Sequence, residues 1–203
     1  MLKLWYIIKI GNMIEVEKKF LLDKEQEKRL IGGTEFLGEK VFTDVYYDTP
    51  DFILTSNDKW LPSRSGKWEL KLSLDRTAGR KGDLYDEVED ENKIKEILDI
   101  SGDIEEKYSK FCICKTTRKK YKKQGFGIDI DYVDYGDFTY GLAEIELMVQ
   151  DKSEMEEAIG KIIEFAKENG LQTGYVRGKV IEYFKKKPEH FQALIKSGTV
   201  RES

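Results

Sequence analysis

The sequence has one histidine, His190, two cysteines, Cys112 and Cys114, and three prolines in 203 residues. His190 falls in a helical stretch of ordinary surface residues and does not support a nucleophilic triad. Cys112 and Cys114 are spaced to face the same way along a strand, so they form no disulfide scaffold, and the C-x-C pair lacks the second half of a zinc site. Reduced thiols in a cytoplasmic protein are the expectation. With so little proline and no Ser- or Gln-rich tract, a long disordered linker is excluded. A net charge of −4, from 35 basic and 39 acidic residues, fits neither a histone-like tail nor an acidic disordered chain. Long apolar runs are also missing: Leu2 to Ile10 is broken by Lys3 and Lys9 and falls far short of the ~20 residues that cross a bilayer. Gly11-Asn12-Met13 makes a poor cleavage site, so residues 1–12 are read as an N-terminal extension, either an extra strand or disordered. Neither a Walker-type nor a dinucleotide-binding glycine motif occurs.

What is present is one domain's worth of chain, 39% hydrophobic and 12% aromatic. Ser153 with Glu156 reads as a capping box for a helix carrying Met155, Ile159, Ile162, Ile163 and Ala166, closed by Gly170. Asp23 caps a short helix ending at Gly32-Gly33, and Asn92 to Leu98 carries another short apolar stripe. Val176, Val180 and Phe184 suit a further helix, and Pro188 opens a last one stopped by Gly198.

The remaining segments alternate with period two. Ile14–Glu17, Trp68–Leu72, Gly127–Asp131 and Ala143–Leu147 each put apolar side chains on one face and ionisable ones on the other. Thr116, Arg118, Lys120 and Lys122 form a similar face, as do Tyr85 and Glu87. A solvated outer face of an antiparallel sheet would show the same alternation. Its peculiarity is a carboxylate pair repeated two residues apart on three segments: Glu15/Glu17, Asp129/Asp131 and Glu144/Glu146. Like charges so placed repel unless cations sit between them. If the sheet curls with these faces inward, acids and bases share a polar lumen suited to a polyanion carrying divalent metal. Carboxylates are hard ligands for Mg²⁺ or Mn²⁺, while Lys and Arg bind phosphate oxygens.

Ile14-Glu15-Val16-Glu17-Lys18-Lys19-Phe20 resembles the E-x-E-x-K signature of the CYTH superfamily, the triphosphate tunnel metalloenzymes, and is similar to its thiamine-triphosphatase branch. The likeness continues through Asp44–Pro50, Trp60-Leu61, Arg64, Trp68–Lys71, Arg118, Asp129–Asp131, Glu144–Glu146, Lys179 and the Pro188 helix, placing the domain at residues 13–200. The resemblance implies an α+β fold: a closed eight-stranded antiparallel β-barrel with flanking helices. It further implies Mg²⁺-dependent hydrolysis of thiamine triphosphate, Mn²⁺ being the other metal considered. Asp129, Asp131, Glu144 and Glu146 correspond to the metal-binding group, with Glu15 and Glu17 at a second metal position or holding the bases. Lys19, Arg64, Lys71, Arg118 and Lys179 correspond to the triphosphate clamp, and Trp60 to the aromatic on which thiamine stacks.

One departure is Pro62, which stands where the branch has an arginine. It removes a clamp residue and a backbone donor, and points to a weakened or altered substrate preference. Inorganic tripolyphosphate on the same tunnel, or a polyphosphate-binding module without chemistry, are therefore the competing readings. No residue is assigned as general base. The basic run Lys115–Lys123 is read as split between two strand faces, so no nucleic-acid partner is expected, nor a membrane. A monomer acting on a small-molecule triphosphate is the expectation.

Overall fold

The computed structural model describes residues 6–10, 13–74 and 83–200, with side chains from 13–74 and 85–200. In chain order the elements are β1 (Tyr6–Ile10), β2 (Met13–Phe20), α1 (Lys24–Ile31), β3 (Glu35–Asp48), β4 (Lys59–Arg64), β5 (Lys67–Trp68), β6 (Leu70–Ser73), β7 (Asp83–Val88), α2 (Glu91–Ile97), α3 (Ile104–Lys107), β8 (Ser109–Lys123), β9 (Phe126–Asp134), β10 (Thr139–Val149), α4 (Met155–Glu168), α5 (Lys179–Tyr183) and α6 (Pro188–Lys196). Two hairpins turn on pairs of positive-φ residues, Ser65-Gly66 and Gln124-Gly125, the geometry that matches strand twist in a two-residue loop.

The strands form one sheet in the order β3-β8-β9-β10-β2-β1-β7-β6-β4-β5. Its ends are drawn together where Asp44–Tyr47 of β3 also pair with Leu61–Arg64 of β4, giving a curled, barrel-like sheet with flanking helices. The expected eight antiparallel strands are present, with two differences in detail. First, part of the N-terminal extension is a strand: β1 lies between β2 and β7, antiparallel to the first and parallel to the second. Residues 1–5 and 11–12 of that extension lie outside the described residues. Second, β5 and β6 are one strand in a single register against β4, interrupted at Glu69. Glu69 N–H donates to Pro62 O at 3.0 Å, but proline has no N–H to return the bond, so the ladder breaks there. Eight strands, one added and one divided, make the ten observed.

The apolar alternates of three neighbouring strands, β2, β10 and β9, lie outside the curl. Val16, Ile128, Ile130, Ala143 and Ile145 are buried against Ala158, Ile162, Phe165 and Ala166 of α4 and Leu30 of α1. Each large side chain so buried contributes about 1.5–3 kcal/mol relative to exposure, which fixes the sheet's register and so its inner face. A second cluster, including Leu61 and Leu70, packs with Ile94 and Leu98 at the α2 end and Ile104 of α3. Tyr46, Cys112, Cys114, Val133 and Leu142 close one end of the interior with Val180 and Tyr183 of α5. Both cysteines are free and buried, as expected for ordinary thiols.

Asp23 caps α1 with Gln26 completing the box. The expected Ser153–Glu156 box instead forms two residues earlier: Asp151 accepts from Ser153 N–H, and Glu154 accepts from Asp151 N–H. A carboxylate there suits the positive helix end. The helix expected from Val176 begins only at Lys179, because Tyr140 and Tyr135 hydroxyls donate to the Arg177 and Lys179 carbonyls and hold the incoming chain extended to Gly178. No helix among the described residues is long and apolar enough to cross a membrane.

Candidate functional site

The charged alternates of the same strands face inward. Glu15, Glu17 and Lys19 share the inner face of β2, Asp129 and Asp131 that of β9, and Glu144 and Glu146 that of β10. Registry places Glu144 opposite both Lys19 and Asp129, Glu146 opposite Glu17, and Arg118 opposite Asp131. Facing them, β3 supplies Asp44, β4 supplies Trp60, Pro62 and Arg64, and Glu69, Lys71 and Glu87 come from the next two strands. A cavity of about 320 Å³ lies between, lined by Glu15, Glu17, Lys19, Trp60, Arg64, Lys71, Arg118, Glu144 and Lys179 among others. A larger groove of about 850 Å³ runs outside, between α4 and the ends of β2 and β10, and holds none of the expected site residues.

Each of the five lining bases is held by acid. Arg118 forks onto Asp131 at 2.6 and 2.7 Å, and reaches Glu144 at 2.6 Å and Asp129 at 2.7 Å. Lys19 pairs with Glu17 and, at 3.3 Å, with Glu144. Lys179, the first residue of α5, reaches Asp131 at 3.2 Å. Arg64 forks onto Asp44 at 2.6 and 3.2 Å, its guanidinium 4.2 Å from the Phe42 ring centroid. Lys71 pairs with Glu69 at 2.8 Å and with Glu87. Asp44 and Glu69 escaped the sequence assignment of site residues. Asp44 carried a signal, since it alternates with Tyr46 and Asp48 on one face of β3, but nothing local said that it would hold Arg64.

The six expected metal-binding acids divide. Asp129, Asp131 and Glu144 are committed to bases. Burial opposes ionisation of Glu144, but Lys19, Arg118 and Lys179 outweigh it and hold the carboxyl well below the usual range. Glu15, Glu17 and Glu146 instead converge on one another, with one carboxylate oxygen from each lying within 4.8 Å of the others. Burial, then repulsion from Glu17 and Glu146, pushes Glu15 up to about 8. Burial and Asp129, opposed by Lys120, push Glu146 up to about 7. Burial and Glu144 raise Glu17 too, against the pull of Lys19 and Arg118. Three hard oxygen donors whose ionised forms repel are chemically matched to a divalent cation.

Trp60 lines the cavity but is only 6% exposed. Its Nε1–H donates to Asp58 Oδ1 at 3.1 Å, and its ring lies 6.4 Å from Phe184. Pro62, opposite Tyr46, presents an apolar wall beside it. His190 is corrected from surface to interior: it is 4% exposed, 2.7 Å from Thr55 Oγ1 and stacked on Phe52. Burial lowers its pKa to about 4, so it stays neutral and structural. The basic run divides as expected, with Arg118 inside and Lys123 outside, donating to the Leu30 carbonyl of α1 at 3.2 Å.

A curled sheet whose interior gathers paired acids and bases, with a carboxylate trio that shares Glu17 with Lys19, has the residue types of a polyanion-and-metal site. The comparisons place it more narrowly. The CYTH domain profile matches residues 13–177, and the chain belongs to that family. It is similar to the thiamine-triphosphatase of Homo sapiens, 30% identical over 94% of this chain and 93% of that one. The Macaca fascicularis thiamine-triphosphatase is 28% identical over 91% and 90% of the two chains. Among solved structures, a Pyrococcus horikoshii protein superposes with TM-score 0.60 at 26% identity, covering 85% of this chain and 99% of its own. A Hippeastrum protein described as having a dominant triphosphatase activity gives TM-score 0.60 at 18% identity over 86% and 96%, a likeness of fold.

Proposed function

We propose that the protein is a metal-dependent triphosphatase that hydrolyses thiamine triphosphate to thiamine diphosphate and phosphate. The observation that carries this reading is the cavity itself, where five bases share one space with Glu15 and Glu17, the two carboxylates that also converge with Glu146. Glu15, Glu17 and Glu146 would hold the cation, Mg²⁺ or Mn²⁺. Asp129, Asp131 and Glu144, expected as ligands, act in this reading as holders of Arg118, Lys19 and Lys179. A bound divalent cation supplies charge neutralisation at the phosphate oxygens. Lys19, Arg64, Lys71, Arg118 and Lys179 bind the remaining oxygens, their acids having already fixed their rotamers, so little ordering is left for the substrate to impose. Lys71 is not a proton acceptor: burial opposes its charge, but Glu69 and Glu87 more than restore it and keep the ammonium protonated. The water-activating group stays unassigned.

Pro62 and the packing of Trp60 favour a second reading, inorganic tripolyphosphate on the same bases. Where an indole is held by Asp58 and Phe184 and is 6% exposed, its role as a stacking platform competes with simple core packing. Phosphate release with Mg²⁺, measured side by side on thiamine triphosphate, tripolyphosphate and ATP, tests the proposal. Fastest turnover of thiamine triphosphate supports it, preference for tripolyphosphate moves it to the second reading, and no release on any substrate leaves a binding module.

A further inference from the structure

The Glu146 side chain occupies space that a β-carbon on the neighbouring strand would fill. Glu146 of β10 pairs directly with Gly127 of β9. A Cβ built on Gly127 would lie 2.6 Å from Glu146 Cγ and 2.9 Å from Cδ, and closer still to Oε1. The contact with Cγ is decisive. A carboxylate tip can swing aside cheaply, whereas moving Cγ requires a different rotamer about the first side-chain bond and takes the whole carboxylate with it. Gly127 is not a glycine for backbone reasons, because its φ lies outside the left-handed region that marks Gly125 two residues earlier. It also lacks the stabilising side chain a strand position normally carries. What its missing side chain provides is room over the strand.

We propose that Gly127 is a positioning residue: its bare backbone lets Glu146 lie across β9 so that its carboxylate joins those of Glu15 and Glu17 in one cation site. The inference rests on the metal reading above and adds a residue with no donor atom of its own in the site. Its sequence signal is the glycine immediately before the Ile128–Asp131 alternation, at the one position on that face of β9 that precedes the acids.

The test is a titration of the metal-free protein with Mn²⁺, following free ion by electron paramagnetic resonance, on wild type, Gly127→Ala, Glu146→Gln, Glu146→Ala and Gly127→Ala/Glu146→Ala. Gly127→Ala is expected to weaken Mn²⁺ binding by roughly 10- to 100-fold, the usual effect of displacing a group that orients a ligand. In the Glu146→Ala background the same substitution should leave Mn²⁺ affinity unchanged and should not lower Tm, because the clashing atoms are gone and a strand glycine is replaced. Should Gly127→Ala alone fail to fold while the double variant folds, the clash is established directly. Gly160→Ala on α4, where a Cβ meets nothing within 4 Å, is the control and should bind Mn²⁺ like wild type. Wild-type affinity in Gly127→Ala, alongside weakened binding in Glu146→Gln, overturns the positioning role and leaves the metal site standing. Undiminished binding in Glu146→Gln overturns the metal reading itself, and the positioning role with it. Equal weakening by Gly127→Ala in both backgrounds also overturns the role, since the effect would not pass through Glu146.

Discussion

The strands β2, β9 and β10 have two faces built from alternate residues of the same sequence, and the faces solve opposite problems. Outside, Val16, Ile128, Ile130, Ala143 and Ile145 meet α4 and α1 and are nearly or wholly removed from water. Inside, Glu15, Glu17, Asp129, Asp131, Glu144 and Glu146 are brought together at distances where their charges repel. The outer face holds the fold, and the inner face is held by it at a cost. The burial of Ile145 stabilises the position of Glu144 and Glu146, its immediate neighbours. Stability and function are thereby assigned to alternate residues, and substitutions should separate them.

The largest expected effect lies inside. Glu146→Gln keeps shape and removes a charge from the carboxylate trio, so turnover should fall by at least about a hundredfold, the scale of losing several kcal/mol of charge neutralisation. Tm of the metal-free protein should hold or rise, because a repulsive charge has gone. Outside, the converse holds. Ile145→Ala empties a fully buried site and should destabilise by about 2–5 kcal/mol, lowering Tm by roughly 5–15 °C, while kcat/KM of the folded enzyme stays within about threefold. A Glu146→Gln variant that unfolds as readily as Ile145→Ala would erase the distinction between the faces.

A smaller effect sharpens the contrast within the cavity, between the charged wall and Trp60. An indole face attracts a desolvated cation by about 2 kcal/mol, a factor of roughly 30, and the thiazolium of thiamine is such a cation. Trp60→Ala should reduce kcat/KM for thiamine triphosphate by about that factor and for tripolyphosphate by less than about twofold. Equal loss on both substrates assigns Trp60 to the core cluster it shares with Tyr85, Ile181 and Phe184.

The smallest effect is in pH. Glu15 rises from 4.5 to about 8 and Glu146 from 4.5 to about 7, burial being the first cause for both. Between the unfolded value and those folded values the folded protein binds more protons than the unfolded chain, so stability is greatest at the acid end of that window and falls as pH rises through it. Thermal unfolding of the metal-free protein should show Tm dropping steadily across that range, and Mg²⁺ should flatten the slope. A Tm that rises with pH there would contradict the repulsion within the trio.

How far all this could be read in advance follows from the range of the interactions. The charged face was legible because it is a local pattern of three acid pairs at spacing two; that it turns inward followed only from the family resemblance, since a solvated outer face shows the same alternation. The division of those acids was not, since whether Asp131 meets Arg118 or Glu146 meets Glu17 is decided by cross-strand register. The insertion of β1 beside β7 likewise joins segments more than seventy residues apart. Pro62 announced a missing donor, and the break at Glu69 is its consequence, although the partner strand had to be seen to locate it. His190 looked like a surface residue because its helix is polar, and only the docking of α6 onto Phe52 and Thr55 buries it.

The central claim is that the inner face is completed by a triphosphate and a divalent cation together. The most direct measurement is the Tm of the wild-type protein, metal-free, with Mg²⁺ alone, with a non-hydrolysable imidotriphosphate alone, and with both. Ligands that bind the folded state raise Tm by mass action. Because the trio repels anions and the clamp bases are already paired with acids, the account predicts a rise with both that exceeds the sum of the two separate rises. A Tm unmoved by the pair, or raised as much by imidotriphosphate without Mg²⁺, would contradict it.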